Sequence, residues 1–336
     1  MKNIWKDLLR GAVLGFALPA VILTVAWMMP HRQTATADSK PPSATAPTES
    51  TTVPIQQETT VPEPMIPTIA VLTKAGIVEM ELESYVVGVV LSEMPGSFSM
   101  EALKAQSVAS RTFALRVCRD GRHDGAVCMD YGCCQGYRSS EEYLAQGGDQ
   151  ESLDRIIAAV DATAGQVLTF EGSVICATYF SCSGGSTEDA LAVWGSDVPY
   201  LQAVESPGEE FAEVFSHQKK FTFEEFENLL CVSLPEDPTT WFGQVAFTDG
   251  AGVDTMEIGG VCYRGTTLRT LLGLRSTAFS VTVTEEAIIV DTLGFGHRVG
   301  MSQYGAEAMA LAGRGYMEIL AHYYQGVRLQ TYGPNG

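Results

Sequence analysis

A long apolar segment near the N-terminus limits how this chain can be organised. Residues 11–29 contain no charged side chain, and about 20 apolar residues are enough for a helix to cross a bilayer. Lys2, Lys6 and Arg10 precede the segment, so the positive-inside rule predicts a cytoplasmic N-terminus and a remaining chain outside the cytoplasm. The sequence thus predicts a single-pass anchor in the cell membrane. The Ala-Thr-Ala motif at 35–37 is also compatible with the cleavage site of a secretory signal.

Residues 34–67 differ in composition from the rest of the chain. They are rich in Pro, Thr, Ser and Glu and contain few apolar residues, so they are predicted to form an extended, disordered tether. We therefore divide the chain into a cytoplasmic N-terminus with the anchor (1–33), the tether (34–67) and one folded extracytoplasmic region (68–332). The net charge of −19 argues against nucleic acid as a partner, because an acidic surface repels a phosphate backbone.

The folded region shows both helical and strand periodicity. Alternating residues at 69–73 and 77–82 predict a hairpin that turns at Gly76. Further strands are predicted at 165–169, 174–181, 244–247, 255–258 and 280–284. Helices are predicted at 82–93, 99–118, 153–164, 221–230, 266–272, 306–313 and 316–324. We expect an α+β fold of mixed helices and antiparallel strands, in two lobes around a central cleft.

Glu93 has an unusual place in the predicted helix 82–93. Val86, Val89, Val90 and Glu93 are spaced at i, i+3, i+4 and i+7, which puts a carboxyl group on the apolar face. Burial raises the pKa of a carboxyl group, and one that stays protonated near neutral pH can act as a general acid. Pro95 ends the helix beside a loop that a ligand can reach. Alternatively, Glu93 extends to solvent or pairs with a base, and the valine-rich run is also compatible with a strand.

The next predicted helix, 99–118, has two distinct faces. A stripe of alanines with Phe113 and Val117 covers one face, whereas Lys104 and Arg111 share another with a serine. A solvated charged face is one interpretation of the second stripe. The other is a polar groove beside Glu93, in which Lys104 and Arg111 bind substrate.

Half of the eight cysteines fall within residues 118–134. His123, Cys128, Cys133 and Cys134 offer one imidazole and three thiolates, a set that suits tetrahedral zinc. The spacing matches no standard zinc finger, and disulfides are an equally good interpretation outside the cytoplasm. Cys118 is a reserve ligand if the adjacent cysteines cannot bind the same ion.

Two later segments combine polar side chains with glycines. In the Ser183-Gly184-Gly185 block, the glycines either let backbone amides approach a ligand or only mark a turn. His297, Gln303 and Tyr304 lie in the second segment, 294–306, and are candidates for substrate binding. A lone histidine can equally be a hydrogen-bonded structural residue.

Four blocks of residues together resemble the stage II sporulation protein D family and follow the order found in it. They are Leu-Glu-x-Tyr-Val-x-Gly-Val-Val with Glu-Met-Pro at 82–95, Glu-Ala-Leu-Lys-Ala-Gln with Arg-Thr at 101–112, Ser-Gly-Gly with Thr-Glu at 183–188, and Gly-Met-Ser-Gln-Tyr-Gly-Ala at 300–306. The resemblance implies a membrane-anchored lytic transglycosylase that trims peptidoglycan during forespore engulfment. Glu93 then corresponds to the catalytic acid.

The same resemblance bears on the cysteine loop and on one later position. A zinc site of Cys and His, recognised in part of the family, falls on His123, Cys128, Cys133 and Cys134. Cys133 stands where relatives often have His, which affects the individual ligand assignments. Arg298 stands where the family usually has Gly, which predicts a different local backbone.

A single carboxyl group is compatible with the activity that the resemblance implies. Glycoside hydrolysis normally uses two carboxylates, and no second one is placed by a motif here. The family implies glycan strands without stem peptides as the substrate, and a cell-wall amidase and other engulfment proteins as partners. Domains of this type also occur in proteins described as enhancers of wall amidases. The alternative function is therefore a non-catalytic glycan-binding module that activates a partner amidase.

Overall fold

The computed structural model describes residues 67–332. The predicted anchor and almost all of the predicted tether lie outside these residues, so the division into three parts stays a prediction. Within the described residues, no helix combines the length and the apolar composition needed to span a bilayer. All of them fall in one structural unit, Pro64–Gly336.

Helices and strands follow one another irregularly along this region. The α-helices described are α1 Leu82–Glu93, α2 Met100–Arg119, α3 Ser140–Ala145, α4 Gln150–Ala162, α5 Ala190–Trp194, α6 Phe223–Leu230, α7 Gly265–Leu271, α8 Gln303–Leu311 and α9 Tyr316–Tyr323. The strands described are β1 Thr68–Thr73, β2 Gly76–Glu81, β3 Val127–Cys128, β4 Gln166–Phe170, β5 Ser173–Val174, β6 Tyr179–Phe180, β7 Gly185–Ser186, β8 Glu205–Ser206, β9 Ser216–Phe221, β10 Phe242–Phe247, β11 Val253–Ile258, β12 Val261–Arg264, β13 Ala278–Val283, β14 Ile288–Leu293, β15 Met301–Ser302 and β16 Arg328–Thr331.

The strands form small sheets rather than one large sheet. Three-stranded sheets have the orders β2-β1-β3, β16-β4-β5, β13-β14-β9 and β10-β11-β12, and two-stranded pairs join β15 to β6 and β7 to β8. The β1–β3 and β15–β6 pairs are parallel, and the other pairs are antiparallel. This mixture of helices and mainly antiparallel strands confirms the predicted α+β class.

The first hydrophobic core surrounds α1 and α2. Val86, Val89 and Val90 of α1 have no exposed surface. The predicted apolar stripe of α2 is buried at Ala102, Ala105, Ala109, Phe113 and Val117. Burying one valine side chain stabilises a fold by about 1.5–3 kcal/mol, so this packing fixes the orientation of α1 and of the residue at its end.

Residues 221–290 contribute a second hydrophobic core. The rings of Phe226 and Trp241 are stacked with their centroids 6.1 Å apart, and Leu268 and Ile288 of the same cluster have no exposed surface. Two separate cores are compatible with the expected two lobes. The central cleft stays a prediction.

Two local predictions had opposite outcomes. The N-terminal hairpin is confirmed, because β1 and β2 pair antiparallel with Thr73 opposite Gly76. The continuous strand at 174–181 was wrong, because only β5 and β6 near its ends are strands. Between them, the Cys176 N–H donates to the Tyr200 hydroxyl at 3.1 Å, and another tyrosine hydroxyl donates to the Thr178 carbonyl at 2.8 Å. Side chains thus satisfy backbone groups that a neighbouring strand would otherwise bind.

Candidate active site

Glu93 is the last residue of α1. The helix ends because Met94 has an extended backbone and Pro95 follows, which lacks an N–H. Glu93 is partly exposed, and its Oε1 accepts a hydrogen bond of 2.7 Å from the Gly136 N–H. The helix therefore presents a carboxyl group at the border between the core and solvent.

The surroundings of Glu93 favour its protonated form. Burial raises the pKa of Glu93, whereas the Gly136 N–H and the Gln303 side chain favour the carboxylate and oppose the shift. Burial also raises the pKa of the nearby Tyr179, and the charge of Glu93 adds to that effect. Glu93 thus keeps its proton to a higher pH than an exposed glutamate, as a general acid requires.

Gln303 supplies a side-chain amide beside Glu93. It opens α8, and only 6% of it is exposed. Although the amide influences the pKa of Glu93, its Nε2 makes no hydrogen bond of normal geometry within the described region. A buried donor without a partner costs about 1–3 kcal/mol. An oxygen atom of a bound ligand would remove that cost.

The loop that follows the cysteines lies directly on α1. The rings of Tyr85 and Tyr137 stack there with centroids 5.7 Å apart. Gly136 approaches so closely that a Cβ atom would lie 2.6 Å from the Ser92 Oγ and 3.1 Å from the Glu93 Oε1. The lack of a side chain at position 136 therefore permits the hydrogen bond to Glu93.

The cysteine loop brings four ligand atoms together. One atom from each of His123, Cys128, Cys133 and Cys134 lies within 4.8 Å of the others. The His123 Nε2 is 3.3 Å from the Cys133 Sγ and 3.5 Å from the Cys134 Sγ. Zinc bonds of about 2.0 Å to nitrogen and 2.3 Å to sulfur place tetrahedral ligands about 3.5 Å apart. These four residues can therefore hold a metal ion.

The backbone of this loop presents the ligands from a tight turn. His123 has a φ of 48°, which is uncommon for a residue other than glycine. The Asp130 carbonyl accepts hydrogen bonds from the Cys133 and Cys134 N–H groups at 3.0 and 2.7 Å. The Sγ of Cys118, the reserve ligand, instead lies 3.8 Å from a carbonyl of β1. All eight cysteines fall in the described residues and are free thiols in this structure.

A short, fixed segment joins the cysteine cluster to the Glu93 contact. Gln135 separates Cys134 from Gly136. The Gln135 side chain accepts a hydrogen bond of 2.7 Å from the Tyr179 hydroxyl and donates one of 3.1 Å to a hydroxyl of α1. The position of the cluster and the position of the Gly136 N–H are therefore linked.

The two basic residues predicted to line a groove have different environments. Arg111 has no exposed surface; its Nε donates to Glu83 at 3.0 Å, and its Nη1 donates to the Gln166 carbonyl at 3.1 Å. Arg111 therefore holds the core together, and we leave it out of the substrate site proposed below. Lys104 is partly exposed and pairs with Glu101 at 2.7 Å.

The Ser183-Gly184-Gly185 block surrounds a buried carboxylate. Glu209 has no exposed surface and accepts hydrogen bonds from the Ser183 N–H at 2.6 Å and the Ser183 Oγ at 2.7 Å. It also accepts one from the Ser206 Oγ at 2.5 Å. Gly184 has a φ of 74°, and a Cβ atom there would lie 2.7 Å from the backbone nitrogen of Gly294. Internal packing thus accounts for the serine and the first glycine of the block.

His297 is an uncharged imidazole between aromatic rings. Burial lowers its pKa to about 4. Its Nδ1 accepts a hydrogen bond of 3.1 Å from the Val299 N–H, so Nε2 carries the hydrogen. The rings of Phe180 and Trp194 lie 5.6 and 5.3 Å from it. At neutral pH this residue can offer an N–H but no charge.

Arg298 forms a buried ion pair that was not predicted. Arg298 and Glu188 are each 1% exposed, and the Arg298 Nη1 lies 3.1 Å from the Glu188 Oε1. Arg298 has a φ of 66°, in the left-handed region that favours glycine. The arginine thus keeps a conformation that glycine favours, at the position where the resemblance implies glycine.

Three further residues around the site were also missed. Gly136 lies two residues after Cys134, where an isolated glycine can signal a close backbone approach. Tyr179 and Glu209 gave no local signal, because Gln135 and Ser183, to which they are bonded, are distant in sequence. Their roles follow only from the folded chain.

Comparison with known proteins places these residues in a family. Residues 73–170, which include Glu93, Gly136 and the cysteine cluster, match the family model described as Stage II sporulation protein. The chain is 41% identical to the stage II sporulation protein D of Bacillus amyloliquefaciens, over 73% of each protein. It is 40% identical to that of Bacillus subtilis (strain 168), over 74% of each. A Bacillus subtilis protein named amidase enhancer is 30% identical, over 73% of this chain and 40% of that protein. The chain therefore belongs to the stage II sporulation protein D family.

Proposed function

We propose that this protein is a lytic transglycosylase that cleaves peptide-free peptidoglycan strands, with Glu93 as the acid and then the base. The raised pKa of a partly exposed carboxyl group at the end of a buried helix carries this proposal. The groups that act on the pKa of Glu93 besides burial are the Gly136 N–H and the Gln303 side chain. A hydrolase normally uses two carboxylates, whereas a lytic transglycosylase needs only one.

The proposed reaction uses both protonation states of Glu93. The protonated carboxyl group gives its proton to the glycosidic oxygen as the bond from that oxygen to C1 of N-acetylmuramic acid breaks. The resulting carboxylate then takes the proton of the C6 hydroxyl, whose oxygen bonds to C1 and closes a 1,6-anhydro ring. No water is consumed, and Glu93 ends protonated. The intramolecular nucleophile needs no separate binding site, which lowers the entropic cost.

Glu93→Gln in the full-length protein tests the assignment. The amide keeps the shape of the side chain but cannot donate the proton, so release of products from peptide-free strands should fall by about a hundredfold or more while strand binding is kept. Glu79→Gln, an exposed position on β2, is the charge-matched control. Equal cleavage by Glu93→Gln would exclude Glu93 as the acid.

A second candidate function is a glycan-binding module that enhances a partner amidase. It is favoured by the 30% identity to the protein named amidase enhancer. In that case Glu93 contacts sugar without turnover. Purified protein would bind strands, release nothing from them, and accelerate stem-peptide removal by an added wall amidase.

The cysteine cluster is proposed to hold one structural zinc ion. His123, Cys128, Cys133 and Cys134 would supply all four tetrahedral ligands, which leaves no position for an activated water. The Glu93 chemistry needs no metal. The zinc would instead fix the loop that leads to Gly136 and so to Glu93.

The family and the N-terminal sequence together suggest where the protein works. A role in sporulation, at the outer side of the cell membrane and on the wall, fits a single-pass anchor at 11–29. The wall amidase that removes stem peptides would then supply the substrate. Other engulfment proteins are further proposed partners.

A further inference from the structure

Three aromatic rings pack together, two of them on segments that adjoin Glu93 and Gln303 in the chain. Tyr304 directly follows Gln303 in sequence. Its ring packs against the Phe98 ring at a centroid distance of 5.2 Å. The Phe211 ring packs against the same Tyr304 ring at a centroid distance of 5.7 Å. Phe98 is buried, whereas Phe211 is 52% exposed. The cluster thus passes from the core to solvent, with Phe98 five residues after the candidate acid.

The segment that carries Phe211 is firmly held. Its preceding Glu209 carboxylate is fully buried and bonded to Ser183 and Ser206. The Ala212 N–H donates to the Glu209 carbonyl at 2.9 Å. The buried anchor therefore keeps a large apolar ring in water at a defined place, although core packing does not require it there.

The ligand chemistry follows from charge and shape. A peptide-free strand carries a lactyl carboxylate on each muramic acid, and this protein has a net charge of −19, so overall electrostatic attraction cannot hold the strand. The C–H face of a pyranose ring is apolar and packs on the electron-rich face of an aromatic ring without any charge. Gln303 precedes Tyr304 in the chain, and its Nε2, which makes no hydrogen bond of normal geometry in the described region, offers a hydrogen-bond donor for a sugar oxygen near Glu93.

We propose that Phe211 and Tyr304 form a stacking subsite for one sugar ring of the glycan strand, next to Glu93. The subsite deepens the proposed function and rests on it for the identity of the ligand. Glu209 is a positioning residue for this subsite and does not touch the sugar.

Binding of peptide-free strands to full-length protein tests the subsite. All variants carry Glu93→Gln, so that strands stay intact while the dissociation constant is measured. Phe211→Ala should raise the Kd about tenfold, and Phe211→Leu should also weaken binding because the aromatic face is lost. Phe211→Tyr should bind normally. Phe247→Ala is the matched control, since Phe247 is likewise 52% exposed but lies on β10.

The outcomes separate the subsite from the catalytic proposal. If Phe211→Ala and Phe211→Leu bind strands as tightly as the Phe247→Ala control, the subsite is wrong, whether or not the wild-type protein cleaves. If only Phe211 substitutions weaken binding while the wild-type protein releases no product, the subsite stands and the catalytic proposal fails.

Discussion

At the scale of single residues, Glu93 and its two neighbours decide the proposed chemistry. Burial raises the pKa of this carboxyl group, and the Gly136 N–H limits the increase. Desolvation therefore favours the protonated form, while the Gly136 N–H at 2.7 Å and the Gln303 side chain favour the carboxylate. Comparison of the wild-type protein with Glu93→Gln tests how these effects act on the carboxyl group.

The raised pKa of Glu93 predicts a pH-dependent effect of Glu93→Gln on stability. A carboxyl group with a raised pKa in the folded state stabilises fully below its unfolded pKa, and this contribution is lost as the pH rises through the raised value. The variant should therefore match the wild type below the ordinary value of 4.5 and melt at a higher temperature near neutrality. Melting temperatures from about pH 4 to about pH 8 test this. A constant difference would contradict a raised pKa.

The Arg298–Glu188 pair gives a second prediction at this scale. Arg298→Gly relieves the left-handed backbone but leaves the Glu188 carboxylate buried without its partner. We expect a loss of about 3 kcal/mol in the free energy of unfolding. The double variant Arg298→Gly with Glu188→Gln should recover part of it, as measured by urea unfolding. If the single variant is as stable as the wild type, the ion pair does not stabilise this region.

At the scale of elements, sequence periodicity predicted the parts of the fold that are buried on one face. The spacing of Val86, Val89 and Val90 placed α1 correctly, because packing against α2 follows that spacing. The strand β14 was missed although Ile288 and Val290 alternate with less buried residues. That alternation is the pattern of a half-buried strand.

The surroundings of Glu93 were harder to predict than its own position. Gly136 and Gln303 lie 43 and 210 residues further along the chain, and no local pattern relates them to Glu93. The Glu209 contacts depend in the same way on distant segments. Such contacts follow from tertiary packing, which periodicity does not encode.

The close approach of Gly136 predicts a sharp effect of one methyl group. In Gly136→Ala the added Cβ would meet the Ser92 Oγ at 2.6 Å and displace the N–H from Glu93. Cleavage of peptide-free strands should fall on the order of tenfold to a hundredfold, with little change in strand binding. Gly315→Ala is the control, since its Cβ would meet no atom nearer than 3.7 Å. Unchanged cleavage by Gly136→Ala would remove Gly136 from the site.

The cysteine loop predicts one bound zinc ion per protein. Protein purified without added metal should contain it, and chelation should lower the melting temperature, because the metal cross-links a loop of low apolar content. Cys128→Ser should have the same effect, whereas Cys262→Ser, at an exposed position, should not. Absence of metal together with Cys118, Cys128, Cys133 and Cys134 locked in disulfides would contradict the zinc site.

At the scale of the whole molecule, the described region has two hydrophobic cores within one unit. Glu93 and the cysteine loop belong with the first core. Glu188, next to α5, accepts hydrogen bonds from Thr248 at 2.8 Å and from the Gly252 N–H at 3.0 Å. These bonds, together with Arg298, tie the turn before β11 to the first core.

The N-terminal sequence predicts how the full-length protein behaves in cells. If residues 11–29 are an uncleaved anchor, the protein should fractionate with membranes, and external protease should release the folded region by cutting within 34–67. Immunoblots of fractions before and after protease treatment measure both properties. A soluble product that begins after Ala37 would show that the segment is a cleaved signal.

The source of the oxygen at the new chain end tests the central proposal most directly. Wild-type protein is incubated with peptide-free glycan strands in water enriched in oxygen-18, and the products are weighed by mass spectrometry. Because the C6 hydroxyl and not water attacks C1, we predict ends without oxygen-18 that are one water lighter than hydrolysis products. Reducing ends that carry oxygen-18 would indicate a hydrolase, and intact strands would indicate a binding module; either result would contradict the transglycosylase account.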